Sequence, residues 1–467
     1  MTRALNRISC CWEMGLVGRW RGRKGVAMKI TGSGALASAF DVTGFAVTAM
    51  AEAGQAVADL TQRFGAAPPD VCVDRGLASL WFGMSFTPVG WTLPPVWDAI
   101  AGDYRCADGW IRLHTNAPHH KAAALKVLGL GAGADRATVA AAVELWHGEA
   151  LENAVVAANG CAALMRSPAA WLAHPQGQAV AVEPLISWGD PRAVADLRDA
   201  GGASARSRPA DPQRPLTGVR VLDLTRIIAG PVATRFLASY GAQVLRIDPP
   251  DWDEPVLEAE LTVGKRCARL DLKSPDGLAA LHELLAGADI FVHGYRGDAL
   301  EKLGISEDVL ARRYPHLIDV ALNAYGWGGP WKHRRGFDSL VQMSCGIADA
   351  GMAYFGSAAP HPLPVQALDH ATGYLCAAAA INAWRDRLDG TVRSARLSLA
   401  RTAVELMRTA PSEPDAPAPE LDPTGLIPEN TQWGPGLRLP PAVQISGVEP
   451  VFDVPALGLG WADPRWV

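Results

Sequence analysis

The sequence predicts an α/β fold with two parts: a large domain built on a mostly parallel sheet, and a smaller α+β domain. Three observations carry this reading. Beyond about residue 216, short apolar strands alternate with helices of similar length, which requires crossover connections and helices on the sheet faces. Before about residue 203 the pattern differs, with Ala-rich helices around a short hairpin signal. Between the two, a stretch rich in Ser, Pro, Arg and Asp (203–215) marks the sharpest change of composition and is the expected linker.

Taken in order, residues 1–30 form a basic segment, seven Lys/Arg against Glu13, expected as a disordered extension with Met28 as an alternative start. It lacks the apolar core of a secretory signal. Residues 34–65 are Ala-rich and helical, and 70–81 read as a short strand running into a helix. The Pro/Trp-rich 86–97 cannot be helical throughout. Y-R-C-A-D-G-W-I-R-L-H (104–114) reads as two strands around an Asp-Gly turn, and 118–165 as helical. After the linker, V-R-V-L-D-L (219–224) is a strand. P-V-A-T-R-F-L-A-S-Y-G (231–241) is a helix with Pro at its first position and Gly at its end. Strands follow at 243–248, 289–295 and 317–326, with a helix at 278–288. A Pro-rich return segment closes the chain (406–467).

Composition narrows the function classes. The 467 residues carry 43 Lys+Arg and 48 Asp+Glu, a formal charge of −5, which argues against a nucleic-acid partner. No apolar run is long enough for a transmembrane helix, so no membrane partner is expected. Eight scattered cysteines without a C-x-x-C pair read as buried small hydrophobes in a reducing, cytoplasmic setting, and no Cys/His spacing suggests a metal site. The His119-His120 doublet reads as a polar loop or helix face. A faint repeat relates F-D-V-T-G-F-A-V-T-A (40–49) to D-H-A-T-G-Y-L-C-A-A (369–378), with the carboxylate of the first copy displaced by one position.

The turn after the first strand, D-L-T-R-I-I-A-G-P (223–231), lacks G-x-G-x-x-G, which removes support for a nicotinamide enzyme. The phosphate-loop and G-x-S-x-G patterns are absent too. The turn still lies where strand ends and helix amides can receive a phosphorylated ligand. G-K-R-C-A-R-L-D-L-K (264–273) is either a solvated strand edge or part of a cationic cluster for such a ligand. Asp369, at the head of an Ala-rich helix, is either an N-cap or an ionised nucleophile held at the helix N-terminus.

Four ordered segments resemble the class III CoA-transferase family, which includes formyl-CoA and carnitine-type CoA-transferases and the α-methylacyl-CoA racemases. They are P-L-T-G-V-R-V-L-D-L-T-R-I-I-A-G-P (215–231), G-K-R-C-A-R-L-D-L-K-S-P-D-G (264–277), G-Y-R-G-D-A-L-E-K-L-G (294–304) and A-Y-G-W-G-G-P-W-K-H-R-R-G-F-D-S-L-V-Q (324–342). The resemblance covers about residues 215–405 and implies a Rossmann-like large domain. It makes Asp369, with Gly373 four residues on, the catalytic carboxylate. It also implies a CoA site of Ile227, Ile228, Ala229, Leu270, Lys273, Tyr295, Lys302 and Arg335. CoA and acyl-CoA are then substrates, no tightly bound cofactor is expected, and the assembly is a homodimer.

The sequence departs from the family in three ways. Where the family often has Asn before the aromatic of an E-N-F motif, this chain has His293-Gly294-Tyr295, which removes a side-chain amide that could contact CoA. Racemases carry a His in a G-H-D motif, where this chain has Gly336-Phe337-Asp338, and phenylalanine cannot shuttle a proton. The D-G-W strand (108–113) and W-L-A-H-P-Q (171–176) precede the large-domain motifs instead of following them, so the chain reads as permuted or partly duplicated. The expected divisions are a basic extension (1–30), a small-domain-like half (31–202), the linker (203–215), the CoA-binding half (216–405) and the return segment (406–467). The expected activity is CoA transfer between an acyl-CoA and a free carboxylic acid through an aspartyl intermediate. The alternatives are a catalytically degenerate CoA-binding homologue or a racemase-type enzyme.

Overall fold

The computed structural model describes residues 28–193, 211–295, 297–411 and 416–467. The alternation beyond residue 216 becomes one seven-stranded sheet. Its strands are β1 (Ser187–Trp188), β2 (Arg220–Leu224), β3 (Gln243–Asp248), β4 (Lys265–Arg269), β5 (Ile290–His293), β6 (Ile318–Asn323) and β7 (Ala395–Ser398). Their spatial order is β4-β3-β2-β5-β6-β7-β1. Strands β2 to β7 run parallel, and β1, supplied by the first half of the chain, pairs antiparallel with β7.

The side-chain alternation of each strand divides the core in two. Val221, Val244, Ile290, Val292 and Val320 face one layer, and Leu222, Leu245, Ile247 and Phe291 face the other. A sheet buried on both faces needs apolar residues at successive positions, which explains why these strands read as nearly continuous apolar runs.

The first layer includes the helices α1 (Val42–Arg63), α2 (Ala229–Ser239) and α4 (Ala367–Leu388). Helix α2 starts two residues before the expected Pro231, because Pro is tolerated anywhere in a first turn that has no N–H bonds to lose. Helices α1 and α4, the two halves of the repeat, pack directly against each other. They run in the same direction, since Asp59 pairs with Arg385 (2.8 Å) and Arg63 with Asp389 (2.9 Å). Their many buried alanines provide the small facing surfaces that let two helices approach closely.

In the first half, Gly102–Cys106 and Gly109–Leu113 form the expected hairpin, joined by a third strand, Ala162–Leu164. The stretch 118–165 is not one helical run. It breaks into Pro118–Leu128, Arg136–Val143 and Gly148–Ala157 before that strand. Gly129, at φ +70°, ends the first helix, and the following L-G-A-G-A-D was the overlooked breaker signal. The strand Met28–Thr31, which pairs with Val71–Asp74, falls partly within the expected 1–30 extension. Residues 1–27 and 203–210, which carry the rest of that extension and most of the expected linker, lie outside the described residues.

The end of the chain returns across both halves. Gly434–Arg438 pairs with Phe86–Pro88, and Val443–Ile445 with Val71–Asp74. Further on, Ala462 N–H donates to the Cys267 carbonyl on β4 (2.9 Å). Buried polar contacts fasten the first half to the segment 325–336. Glu152, fully buried, pairs with Arg166 (2.6 Å) and Arg334 (2.9 Å). Gln176 Nε2 donates to the carbonyls of Tyr325 and Gly328, and its Oε1 accepts the Trp331 N–H. Five of the described cysteines are buried, and all six are unbridged. Among the described residues, no helix is long and apolar enough to cross a membrane, and no His/Cys/Asp/Glu group could hold a metal ion.

Candidate active site

Strands β2 and β5 are adjacent in space but not in sequence, and their carboxyl ends open at the point where the strand order reverses. The turn leaving β2 is held from beneath. Asp223 is fully buried, pairs with Lys265 (3.2 Å), and accepts from the Thr225 N–H (2.9 Å) and from the hydroxyls of Thr225 and Thr234. Ile227 sits at φ +68°, a costly conformation for a β-branched residue, and its N–H donates to Glu254 Oε1 (2.8 Å). Glu254 also accepts from Arg246 Nη2 and Trp252 Nε1 (both 2.8 Å), so one buried carboxylate fixes the turn.

Of the expected ligand-binding residues, Ile227, Ile228 and Ala229 form this turn and the start of α2. Tyr295, just past β5, is tied to it through Arg226, whose Nη2 donates to the phenol (3.2 Å) and whose guanidinium also lies over Trp252. Leu270 packs in the same cluster as Tyr295. Lys273 is exposed, and Lys302, also exposed, pairs with Asp298 (2.6 Å). Neither is bonded to the turn among the described residues. Arg335 is half-buried and donates to the Asn159 carbonyl of the first half (2.7 Å).

Asp369 is the third residue of α4, not its cap: Gln366 is the N-cap and makes no side-chain capping bond. The capping role falls instead to Asp41 at α1, whose Oδ1 accepts the Gly44 N–H (2.7 Å). Asp369 is held by its backbone. Its N–H donates to Oδ2 of Asp338 (2.9 Å), the first residue of α3 (Asp338–Cys345). Asp338 Oδ1 in turn accepts from Gln342, whose Oε1 takes the Leu363 N–H (2.7 Å). Gly373 sets the height of the site, because a Cβ there would lie 2.5 Å from the Ala229 carbonyl oxygen and 2.9 Å from Val232. The D-x-x-x-G spacing thus seats the Asp369 helix directly on the start of α2. Gly373→Ala is expected to cost about 1–3 kcal/mol of stability by overpacking and to lower turnover. Denaturation midpoints and initial rates check both.

The electrostatics reverse one expectation. Asp369 was expected to stay ionised at the helix N-terminus, but burial first, and then the charge of Asp338, raise its carboxyl well above the ordinary value of 3.8. Burial likewise pushes Asp338 up to about 6. Desolvation outweighs the helix end here because the group is taken out of water, whereas the helix terminus offers only partial charges. The folded state therefore holds these protons to higher pH than the unfolded chain. The two groups favour folding at low pH, and that contribution is lost as pH rises from near 4 through about 6 and beyond.

Sequence reasoning missed the partners of this site. Asp338 was legible only as the last residue of Gly336-Phe337-Asp338. Phe337 stacks on His114 (ring centroids 3.9 Å) and lies 5.9 Å from His120, both from the first half. His120 is buried, not on the polar face expected, and burial pushes both imidazoles down to about 3, so they are neutral at ordinary pH.

A parallel sheet opening at its reversal point is the class of α/β architecture in which ligands are received at the carboxyl ends of the strands, and here the helix that carries the buried Asp369 packs through Gly373 on the turn leaving β2. Residues 216–431 match the family model described as CoA-transferase family III. The chain is 36% identical over 178 residues to the acetyl-coenzyme A transferase nodX of Hypoxylon pulicicidum, covering 37% of this chain and 30% of that protein. It is 33% identical over 181 residues to the succinyl-CoA:glutarate CoA-transferase of Mus musculus, covering 34% and 42% respectively. A crystal structure of Rv3272 from M. tuberculosis aligns at 29% identity over 42% of this chain and 57% of that one, with a TM-score of 0.39. The chain spans less than half the length of either curated relative.

Proposed function

We propose that this protein is a CoA-transferase moving CoA between an acyl-CoA and a free carboxylic acid, with Asp369 as nucleophile. One observation carries the reading: within a family III segment, Asp369 is buried and not used as a cap, and Gly373 packs its helix on the turn that ends β2. In the proposed sequence the ionised Asp369 oxygen attacks the thioester carbonyl and CoA leaves as thiolate, giving an acyl-aspartyl anhydride. The thiolate attacks the aspartyl carbonyl, releasing the first acid and leaving an aspartyl-CoA thioester. An incoming carboxylate attacks that thioester, forming a second anhydride and freeing the thiolate again. Attack of the thiolate on the new acyl carbonyl then yields the new acyl-CoA and free Asp369. Splitting one exchange into such steps predicts ping-pong kinetics.

The order of strands β2 to β7 supports a Rossmann-like reading of this half, with CoA at the reversal point. Ile227, Ile228, Ala229, Leu270 and Tyr295 would then face the nucleotide and pantetheine, with Lys273, Lys302 and Arg335 toward phosphates. The division into a small-domain-like half, a CoA-binding half and a return segment belongs to the same proposal, as do a homodimeric assembly and a cytoplasmic setting.

Incubation with acyl-CoA followed by hydroxylamine should convert Asp369 to a hydroxamate, read by peptide mass. No adduct at Asp369 in a protein that turns over sinks the mechanism. Because the nucleophile must be ionised and its carboxyl is raised well above the ordinary value, kcat/KM is expected to rise with pH as Asp369 loses its proton. Asp338→Asn, which removes the neighbouring charge, should move that rise down by about one unit or more. An unmoved profile would remove Asp338 from the site.

A second reading has its own observation. The neutral imidazoles of His114 and His120 beside Phe337 put a proton carrier near a motif that lacks one. If it holds, the α-hydrogen of 2-methylacyl-CoA exchanges with deuterium in heavy water and the exchange fails in His114→Phe.

A further inference from the structure

A cavity of about 520 Å³ lies along α2, away from its N-terminal turn, and Asp369 does not line it. Val232 and Phe236 of α2, Tyr374 of α4, Trp81 of the first half and Phe452 of the return segment form its largely apolar wall. The contact of Gly373 with Ala229 and Val232 stands between this space and the Asp369 end of the helices. Its size falls in the range of about 300–1,000 Å³ typical of small-molecule sites.

Arg235 gives the cavity a polar pole. It is 2% exposed and lies over the Trp81 ring at 4.7 Å, and its Nη1 is committed to Glu260. Its Nη2 is buried without a well-formed hydrogen bond, the Tyr374 hydroxyl being the polar group of the wall that interacts with this guanidinium. A buried N–H left without an acceptor is unfavourable, and a ligand oxygen removes that penalty. The charge of Arg235 is already spent. Glu260 is fixed opposite it by the Ser85 N–H (3.0 Å), the Ser85 hydroxyl (2.6 Å) and the Phe86 N–H (3.0 Å). Arg438, the other cation of the wall, is paired with Glu429, and Asp453 is paired with Arg214 (2.7 Å). Glu449 adds a further carboxylate. An anionic ligand would enter a site whose cations are neutralised and which adds carboxylates, whereas an uncharged one meets the spare N–H without that repulsion.

We infer that this cavity is a second binding site, separate from the proposed CoA site, for an uncharged, mainly apolar molecule with one carbonyl, ester or hydroxyl oxygen that accepts from Arg235 Nη2. The inference does not depend on the transferase reading.

Titration of the full chain with the neutral ketone fluorophore Prodan should give saturable one-to-one binding with blue-shifted emission. Methyl decanoate should displace the probe at concentrations at least tenfold below those of decanoate, and excess CoA should leave it bound. Ser239→Phe, which fills the space from α2, should weaken binding tenfold or more. Should that variant not fold, a methyl ester carrying an alkyl diazirine should, on irradiation of the wild-type protein, label peptides within 229–240 or 427–455. Absence of saturable binding, decanoate matching its ester, displacement by CoA, a folded Ser239→Phe protein that binds as wild type, or labelling confined to other segments would each overturn the inference.

Discussion

Asparagine at position 369 is expected to lower kcat by about a thousandfold or more while leaving the protein as stable as the wild type or more so. The amide keeps the volume of the side chain, and the backbone N–H bond to Asp338 does not depend on it. What disappears is the nucleophilic oxygen, together with a carboxyl that burial and Asp338 already hold far above its ordinary pKa. A group whose charged form is disfavoured in the folded state costs stability at neutral pH, so its removal returns some. A purely structural aspartate gives the opposite pairing, lower stability with activity retained. Initial rates and urea midpoints measured on the same preparation separate the two. Full activity in Asp369→Asn excludes Asp369 as the nucleophile.

The second large effect is expected at Glu152, far from Asp369 in the sequence. Burial alone would raise its carboxyl, but the hydrogen bonds of Arg166 and the charge of Arg334 more than reverse this and hold it below its ordinary value. Both guanidiniums are themselves nearly inaccessible, and Arg334 also lies over the Trp331 ring at 4.0 Å. Glu152→Ala leaves two cations buried without their counter-charge, which costs about 3–5 kcal/mol. Against a total stability of about 5–15 kcal/mol this is severe. Because Arg334 belongs to the segment that leads into Gly336-Phe337-Asp338, the same change should loosen the site. Urea denaturation measures the first effect and the KM for acyl-CoA the second. A loss below about 1 kcal/mol would mean that the trio contributes little to joining the halves. Replacing all three by apolar residues of similar volume should cost much less, since no charge is then stranded.

How much of this was legible in the sequence follows the range of the interactions. The strand–helix alternation and the Asp-Gly hairpin are written in neighbouring residues, and the structure has them close to where periodicity puts them. Asp369 and Gly373 are legible as a pattern, and the structure supplies a reason for the spacing: a side chain at Gly373 would strike the Ala229 carbonyl. Helix starts were legible only to within a turn, as α2 shows, because a first turn places few demands on its residues. Of the His doublet, His119 is exposed on a helix as read, but His120 misled, because a helix face offers no local sign of whether another segment will cover it.

By itself the sequence determined the strand–helix alternation of the large sheet, the likeness of the segment 216–431 to CoA-transferase family III, and which carboxylate heads the Ala-rich helix, since all of these depend on residues a few positions apart. Only the tertiary structure decided that Asp338 holds the Asp369 N–H, that Glu254 holds the strained Ile227 turn, and that α1 lies against α4. It alone decided that the first half lends an edge strand to the large sheet and presents His114 to Phe337. These contacts join residues tens to hundreds of positions apart, and their energies come from burial, which no local pattern records. The same burial changes what a residue is chemically. A carboxylate read as ionised from its place at a helix end becomes, once water is excluded, a group whose pKa is raised well above its ordinary value.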